Sequence, residues 1–334
     1  MRVLMKELRE TVMATLAHYG YEPEECMLMC DVILYAQIRD NNQGIVKLVG
    51  KGMPKARDSS AIQIVKDSQI FALFDGNNSP GMVVLARAVD LAIEKANHAG
   101  VGIVGARGTG SSSGALGYYA RRMASRGVLG FVFAGSPPAV CPYGSTEAVF
   151  GTNPIAVGIP SVDEPIVVDM ATSAMSWYGL IEAAGAGRSI PEGVAYDSNG
   201  VVTTNPEEAM QGSILPFDRD KRGSALSLLV EVLTGPLVGA SFAGIGDVSG
   251  NWGHLALALD PSVFVERAAF ESEIDELRNR IKRGRKSPGT HEILLPGERG
   301  SKLAATREIA GEIDVEESLW RALKQVATGN DLTS

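Results

Sequence analysis

Cysteine is scarce in this chain of 334 residues: there are three, an odd number. That excludes a disulfide framework and points to a protein that works with reduced thiols. Histidine is nearly as scarce, with four residues, His18, His98, His254 and His291. No two are close in sequence, and none stands at ligand spacing from a cysteine or carboxylate, so no metal site is expected. Basic charge is not in excess: 31 Lys plus Arg face 39 Asp plus Glu, a net charge of −8. A nucleic-acid partner, which would want a basic surface, is thereby excluded, as is an anionic membrane surface. Long apolar runs are missing too. Stretches such as Val128 to Ala134 fall far short of the ~20 residues a membrane span needs. Met1 leads into a charged helical pattern through Glu10, without the apolar centre of a secretory signal. The expectation is a soluble, cytoplasmic protein.

Glycine, by contrast, is abundant at 38 residues, so many backbone positions need positive φ or a close approach. The chain is long enough for one large domain or two ordinary ones. Residues 4–19 have helical spacing, with Leu8, Val12 and Leu16 on one face. Pro23 opens a second helix that runs to about Arg39. Residues 45–57 read as a short helix or loop. Ser59 to Lys66 and Ser68 to Leu73 alternate like strands, and Asp75 to Asn78 is a turn signal. Pro80 to His98 is a clear amphipathic helix. Gly100 to Ala106, a glycine-serine loop from Arg107 to Gly114, a helix from Ala115 to Arg126 and Val128 to Gly135 then make a β–loop–α–β unit. Strands are expected at Ile155–Ile159, Ile166–Asp169 and Leu255–Leu259, and a loop-rich span over 184–216. Helices are expected near Ala225–Leu233, over Pro261–Lys286 and within Ile309–Thr328. The order is helical, α/β, then helical again. The expected division is therefore an α/β unit over 66–221 and a helical unit built from 1–65 together with 222–334.

The loop Gly108 to Gly114 lies between a strand and a helix. A helix N-terminus there offers N–H groups and a positive dipole end to an anion such as a phosphate. The Gly-Lys-Ser/Thr of a Walker loop is missing. The glycine spacing, G-x-G-x-x-x-G, is not that of a Rossmann fingerprint either. A flexible connection explains the local sequence equally well. Cys26 and Cys30, one helical turn apart, read as buried thiols, and Cys141 as a packed small residue. Lys47, Arg107, Arg121 and Arg299 are candidate clamps for a carboxylate or phosphate. Each alone is weak, because most surface cations clamp nothing.

Several stretches together resemble the type-2 malate/L-lactate dehydrogenase family over nearly the whole chain. They are SGALGYYA at Ser113–Ala120, FGTNPIAV at Phe150–Val157, VDMATS at Val168–Ser173 and IPEG at Ile190–Gly193. RGSAL at Arg222–Leu226, WGHLALALD at Trp252–Asp260 and LPGER at Leu295–Arg299 complete the set. The resemblance implies a non-Rossmann α/β fold of the L-sulfolactate-dehydrogenase type, a mixed-sheet cofactor domain beside a helical one, and a homodimer. It implies an NAD(P)-dependent oxidoreductase acting on a small carboxylate. The cofactor, NAD or NADP, would meet Ser112, Ser113, Gly114, Ala115 and Leu116, with Ser136, Asp169, Met170 and Ala171. Lys221 or Arg222 would also reach it, and Gly297, Glu298 and Arg299 would close the adenosine end. Thr152 would face the substrate, and Lys47 would bind its carboxylate.

The family's Ser-His-Gly segment, source of the proton donor, is here Asn42-Gln43-Gly44. A second histidine found in many members is here Ser112. Gln43 donates hydrogen bonds but does not titrate. Reduction of a 2-oxo acid needs a proton at the carbonyl oxygen. A protonated cyclic imine already carries one. Asn42, Gln43 and Ser112 as the catalytic set therefore lean toward a cyclic imino acid of the pyrroline- or piperideine-2-carboxylate kind. One alternative is a malate/lactate-type 2-hydroxy acid dehydrogenase with a different acid, such as Tyr118. Another is an NAD(P)-binding paralogue without catalysis.

Overall fold

The two ends of the chain meet. In the computed structural model, which describes residues 1–246 and 250–329, β1 (Arg2–Leu4) pairs antiparallel with β11 (Glu312–Asp314). The Met1 ammonium donates to the Val315 carbonyl at 2.7 Å. α1 (Met5–His18) buries Leu8, Val12, Thr15 and Leu16. It packs against α10 (Glu317–Ala327), whose inner stripe is Trp320, Leu323 and Val326. α2 (Pro23–Gln37) starts at its proline, with Glu22 and Glu25 forming a capping box. A 3-10 turn, Ile45–Leu48, follows.

The remaining elements are β2 (Gln63–Asp67), β3 (Phe71–Ser79), α3 (Gly81–Ala99), β4 (Val101–Thr109), α4 (Leu116–Ala124), β5 (Leu129–Ala134), β6 (Ile155–Ile159), β7 (Ile166–Met170), α5 (Trp177–Gly185), β8 (Ala195–Tyr196), α6 (Pro206–Gln211), β9 (Ser213–Ile214), α7 (Lys221–Thr234), β10 (Trp252–Leu259), α8 (Arg267–Lys282) and α9 (Glu298–Ala310). A seven-stranded mixed sheet has the order β2-β3-β4-β10-β5-β6-β7. Its one parallel pair is β3 with β4, and α3 makes the crossover that such a pair requires. α3 and α4 cover one face, and α7 lies on the other. β10 shows both faces by alternation. Ala256 and Ala258 join the core under α3, while Leu255 joins Val238, Ala240 and Leu233 on the α7 side. The α3-side core runs without a break into α1, α2 and α10.

Three local expectations are corrected. Asp75 to Asn78 is not a turn but the end of β3. Asn77 and Asn78 take positive φ, 47° and 58°, and the register against β4 shifts between Asp75 and Ser79. A bulge uses the same permissive residues as a turn. β4 runs to Thr109, so the loop loses its first residues to the strand. The span 184–216 is loop-rich as expected; α6, β8 and β9 lie in it, α5 ends just inside it, and they pack on a core of their own around Val140, Leu180, Ile190 and Ile214. The division at 222 places β10 with the helical unit, yet β10 fills the sheet between β4 and β5. Among the described residues, no helix is long and apolar enough to cross a membrane.

Candidate functional site

A cleft of about 860 Å³ opens between the helical layer and the β5–β7 end of the sheet. Its walls come from the C-terminal end of α2, the loop before α4, the segments after β5 and β7, the start of α5 and the start of α9. Asn42, Gln43, Ser112, Ser113, Gly114, Ala115, Leu116, Ser136, Thr152, Asp169, Met170, Ala171, Gly297 and Arg299 all line it.

The loop before α4 is fixed by its glycine. Gly114 has φ +73°, and a Cβ there would come within 2.4 Å of Val32 Cγ1. The turn brings the start of α4 onto the cleft wall. The Ser113 carbonyl accepts from the Tyr119 hydroxyl at 2.7 Å. The Gly117 N–H donates to Asp169 Oδ2 at 2.8 Å, tying the end of β7 to the first turn of α4. Protein crowds the Asp169 carboxyl and pushes it up to about 6. Its side chain still meets water across the open cleft, which works against the shift. Ser136 and Thr152 are joined, with the Thr152 N–H donating to Ser136 Oγ at 3.1 Å.

The opposite wall is made of side chains. Gln37, at the end of α2, accepts from the Ile45 N–H at 2.9 Å and so holds the 3-10 turn. The Gln43 N–H donates to Asn41 Oδ1 at 2.9 Å, and Gln43 Nε2 lies 3.4 Å from Asn42 Oδ1. Lys47, expected on the substrate carboxylate, is not on the wall. It is 2% exposed, and its Nζ lies behind Ser112, 2.8 Å from Oγ. The same Nζ sits 3.3 Å from the centroid of the Tyr178 ring. Burial drives its pKa well below that of an ordinary lysine. Ser112 Oγ also accepts from the Gly114 N–H at 3.1 Å. Gly110 to Gly114 spells G-x-S-x-G around Ser112, on a strand-to-helix turn. The partners of Ser112 are nevertheless Lys47 and Gly114, with no histidine beside it.

Three further placements are corrected. Lys221 and Arg222 are exposed in the first turn of α7, after the N-cap Asp220, and do not line the cleft. Glu298 also leaves the wall. It pairs with Lys282, lies 3.5 Å from Lys302 and accepts from the Leu295 N–H at 3.0 Å. Its neighbour Gly297 stays, with φ +77° and no room for a Cβ, which would sit 2.6 Å from the Val167 carbonyl. The wall also has residues not anticipated from sequence, among them Tyr35, Arg39, Trp177, Tyr178 and Trp252. The i,i+4 spacing of Tyr35 and Arg39 is a readable signal. The guanidinium lies 3.8 Å from the centre of the tyrosine ring. Ser176, an N-cap ahead of an apolar run, marks the helix that carries Tyr178.

The expected buried thiols Cys26, Cys30 and Cys141 are all buried and free. His254 lies inside the sheet rather than on the cleft wall, 3.1 Å from Thr109 Oγ1, and burial lowers it to about 4. Among the described residues, no three His, Cys, Asp or Glu gather as a metal would require. A nicotinamide dinucleotide fits the donor set. A helix N-terminus and a glycine-serine loop suit its phosphates, the Asp169 carboxylate suits a hydroxyl or amide donor, and Arg39 and Arg299 suit further anionic charge.

The malate/L-lactate dehydrogenase family model matches residues 3–324. An L-sulfolactate dehydrogenase of Methanothermobacter thermautotrophicus is 36% identical over 343 residues, spanning 99% of this chain and 98% of that protein. The solved malate dehydrogenase of Pyrococcus horikoshii superimposes with a TM-score of 0.86 at 28% identity, covering 100% of this chain and 97% of the other. The Δ1-piperideine-2-carboxylate reductase of Pseudomonas syringae does so with a TM-score of 0.80 at 27% identity, covering 98% and 99%. The chain therefore belongs to the malate/L-lactate dehydrogenase family and is an NAD(P)-dependent oxidoreductase.

Proposed function

We propose that this protein interconverts a small 2-oxo acid and its 2-hydroxy acid, using NADH or NADPH. The observation that carries the reading is the composition of this cleft. Anion-binding loop and helix starts make its cofactor side, and a group of uncharged donors, Asn42, Gln43, Ser112 and Thr152, lies where a small polar substrate would sit. Its volume of about 860 Å³ is at the upper end of small-molecule sites. When bound, the reduced nicotinamide supplies the hydride. Ser113 to Leu116 hold its phosphates, Ser136 and Asp169 to Ala171 line it, and Gly297 and Arg299 close the adenosine end. Thr152, Asn42 and Gln43 orient the substrate. The names of the relatives, sulfolactate and malate dehydrogenases, support this class.

A second reading, reduction of a cyclic imino acid, is favoured by the absence of histidine from the cleft wall among the described residues. An iminium needs no acid. The likeness to the piperideine-2-carboxylate reductase agrees with it. The reading includes a cytoplasmic homodimer. Leu228, Leu229 and Val232 are exposed on α7, an apolar face suited to a second copy.

The test is loss of NADH and NADPH absorbance against matched panels of 2-oxo acids, including sulfopyruvate and oxaloacetate, and cyclic imino acids. Faster turnover of the oxo acids is expected. Faster turnover of the imines would replace the first reading by the second. Tight cofactor binding with no turnover of either would remove both.

A further inference from the structure

Lys47 has no structural excuse for its position. Lysine is almost never fully buried without a charged partner. Lys95 illustrates the usual solution, buried but 2.6 Å from Asp67. Lys47 has no such pair. α1, α2, α5 and α10 pack around its turn. They bring Tyr19, whose hydroxyl donates to the Leu48 carbonyl at 2.8 Å, and the Tyr178 ring. Among the described residues, none of them brings a carboxylate or a second cation to Nζ. Its one hydrogen-bond partner, Ser112 Oγ, is on the cleft wall. That oxygen accepts from both Lys47 Nζ and the Gly114 N–H. A hydroxyl has two lone pairs and one hydrogen. With both lone pairs engaged from behind, the hydrogen is left for the cleft.

We propose that Ser112 delivers the proton of the reduction and that Lys47, buried behind it, is the reservoir that resupplies it. This rests on the 2-oxo acid reading above. The carbonyl carbon gains a hydrogen with its electron pair from the reduced nicotinamide, and the carbonyl π pair moves to oxygen. A new O–H bond forms there as the Ser112 O–H bond breaks. Ser112 regains its hydrogen as one Lys47 N–H bond breaks, leaving a neutral amine, and solvent returns the proton before the next turnover. In the oxidation the same chain runs backwards, with the neutral amine accepting. Burial makes the ammonium a stronger acid than an exposed lysine, which suits it to give up a proton. The chain thus replaces the histidines with a hydroxyl in the cleft and a titrating group outside it.

The first test is spectroscopic. In protein labelled with 13C at lysine Cε, one lysine should titrate well below the others by NMR, and its signal should vanish in Lys47→Met. The kinetic test uses the same protein. Wild-type kcat for 2-oxo acid reduction should fall as pH rises through that midpoint. Lys47→Arg, which keeps charge but does not titrate there, should lose that limb. Lys47→Met should lower kcat by about 10²- to 10⁴-fold, and Ser112→Ala likewise. The double variant should lose little more than either alone, as groups acting in one chain do. NAD(P)H binding, followed by fluorescence, should persist in the Lys47 variants. Titration of Lys47 with the bulk lysines overturns the proposal. So does Lys47→Met with unchanged kcat and pH profile on a 2-oxo acid, which leaves the function reading standing. A wild type that reduces only imino acids defeats the function reading and the relay together.

Discussion

The two sides of the cleft are built differently. On the cofactor side, positions are set by backbone: Gly114 and Gly297 take positive φ, α4 and α9 begin on the wall, and Gly117 ties α4 to Asp169. On the substrate side, positions are set by side chains from distant segments. Gln37 holds the turn, Lys47 reaches Ser112, and Tyr178 from α5 covers the amine. Backbone demands admit few residue types and survive changes of substrate. Side-chain arrangements are free to change with it. A substitution on one side should therefore move one ligand and spare the other.

Gly114→Val should break the cofactor side most severely. The new Cβ would meet Val32 Cγ1 at 2.4 Å with φ held at +73°, and strain plus overpacking costs of this kind run to about 1–3 kcal/mol each. Thermal melting should fall by several degrees and NAD(P)H affinity by more than tenfold. A normal melting curve with normal affinity would show that the loop is not held by this contact. Gln43→Leu keeps volume but removes the amide from the other wall. The expected result is a roughly tenfold higher substrate KM, about the worth of one hydrogen bond, with the NAD(P)H KM unchanged. Equal rises in both would erase the distinction between the two sides.

The same distinction explains what was legible before the structure. Glycine positions, helix starts and alternating strands are local signals that mark the elements; the assignment of Ser113 to Leu116, Asp169 to Ala171 and Gly297 to the cofactor comes from the family resemblance, and these residues do line the cleft. Lys47 could be singled out as a cation, but not its neighbours: 65 residues separate it from Ser112, and no local pattern says which of two surfaces a side chain meets. The departures have a similar origin. β10 reads as a strand, but its partners β4 and β5 are far away in sequence. Asp75 to Asn78 carries turn residues that a bulge uses equally well. The lean toward imino acids rests on the missing histidines, and the lysine–serine relay proposed above is one that no spacing reveals.

Asp169→Asn tests a smaller effect, through pH. The folded carboxyl is raised from 3.8 to about 6, so the native state holds its proton more tightly than the unfolded chain. Stability from this group is present below about pH 4 and is lost as pH rises toward about 6. Asp169→Asn should flatten that part of the melting temperature profile. Cofactor donors prefer the carboxylate, so wild-type NAD(P)H affinity should weaken below about pH 6, and in the variant this dependence should disappear. An unchanged profile would mean that water in the open cleft relieves the shift.

Glu298→Gln should do least, and for that reason it tests the boundary of the cofactor side. Glu298 stands between two wall residues, Gly297 and Arg299, yet its carboxylate turns to Lys282 and Lys302. These pairs are partly exposed, and such pairs contribute less than about 1 kcal/mol. The amide keeps an oxygen for the Leu295 N–H, so the turn that aims Gly297 at the wall should hold. NAD(P)H affinity should change less than twofold, because no step of binding touches this side chain. A tenfold loss would mean that the adenosine end is shaped by the Lys282–Glu298–Lys302 cluster as a whole. The cofactor side would then depend on side chains from α8 and α9 as much as the substrate side depends on Lys47.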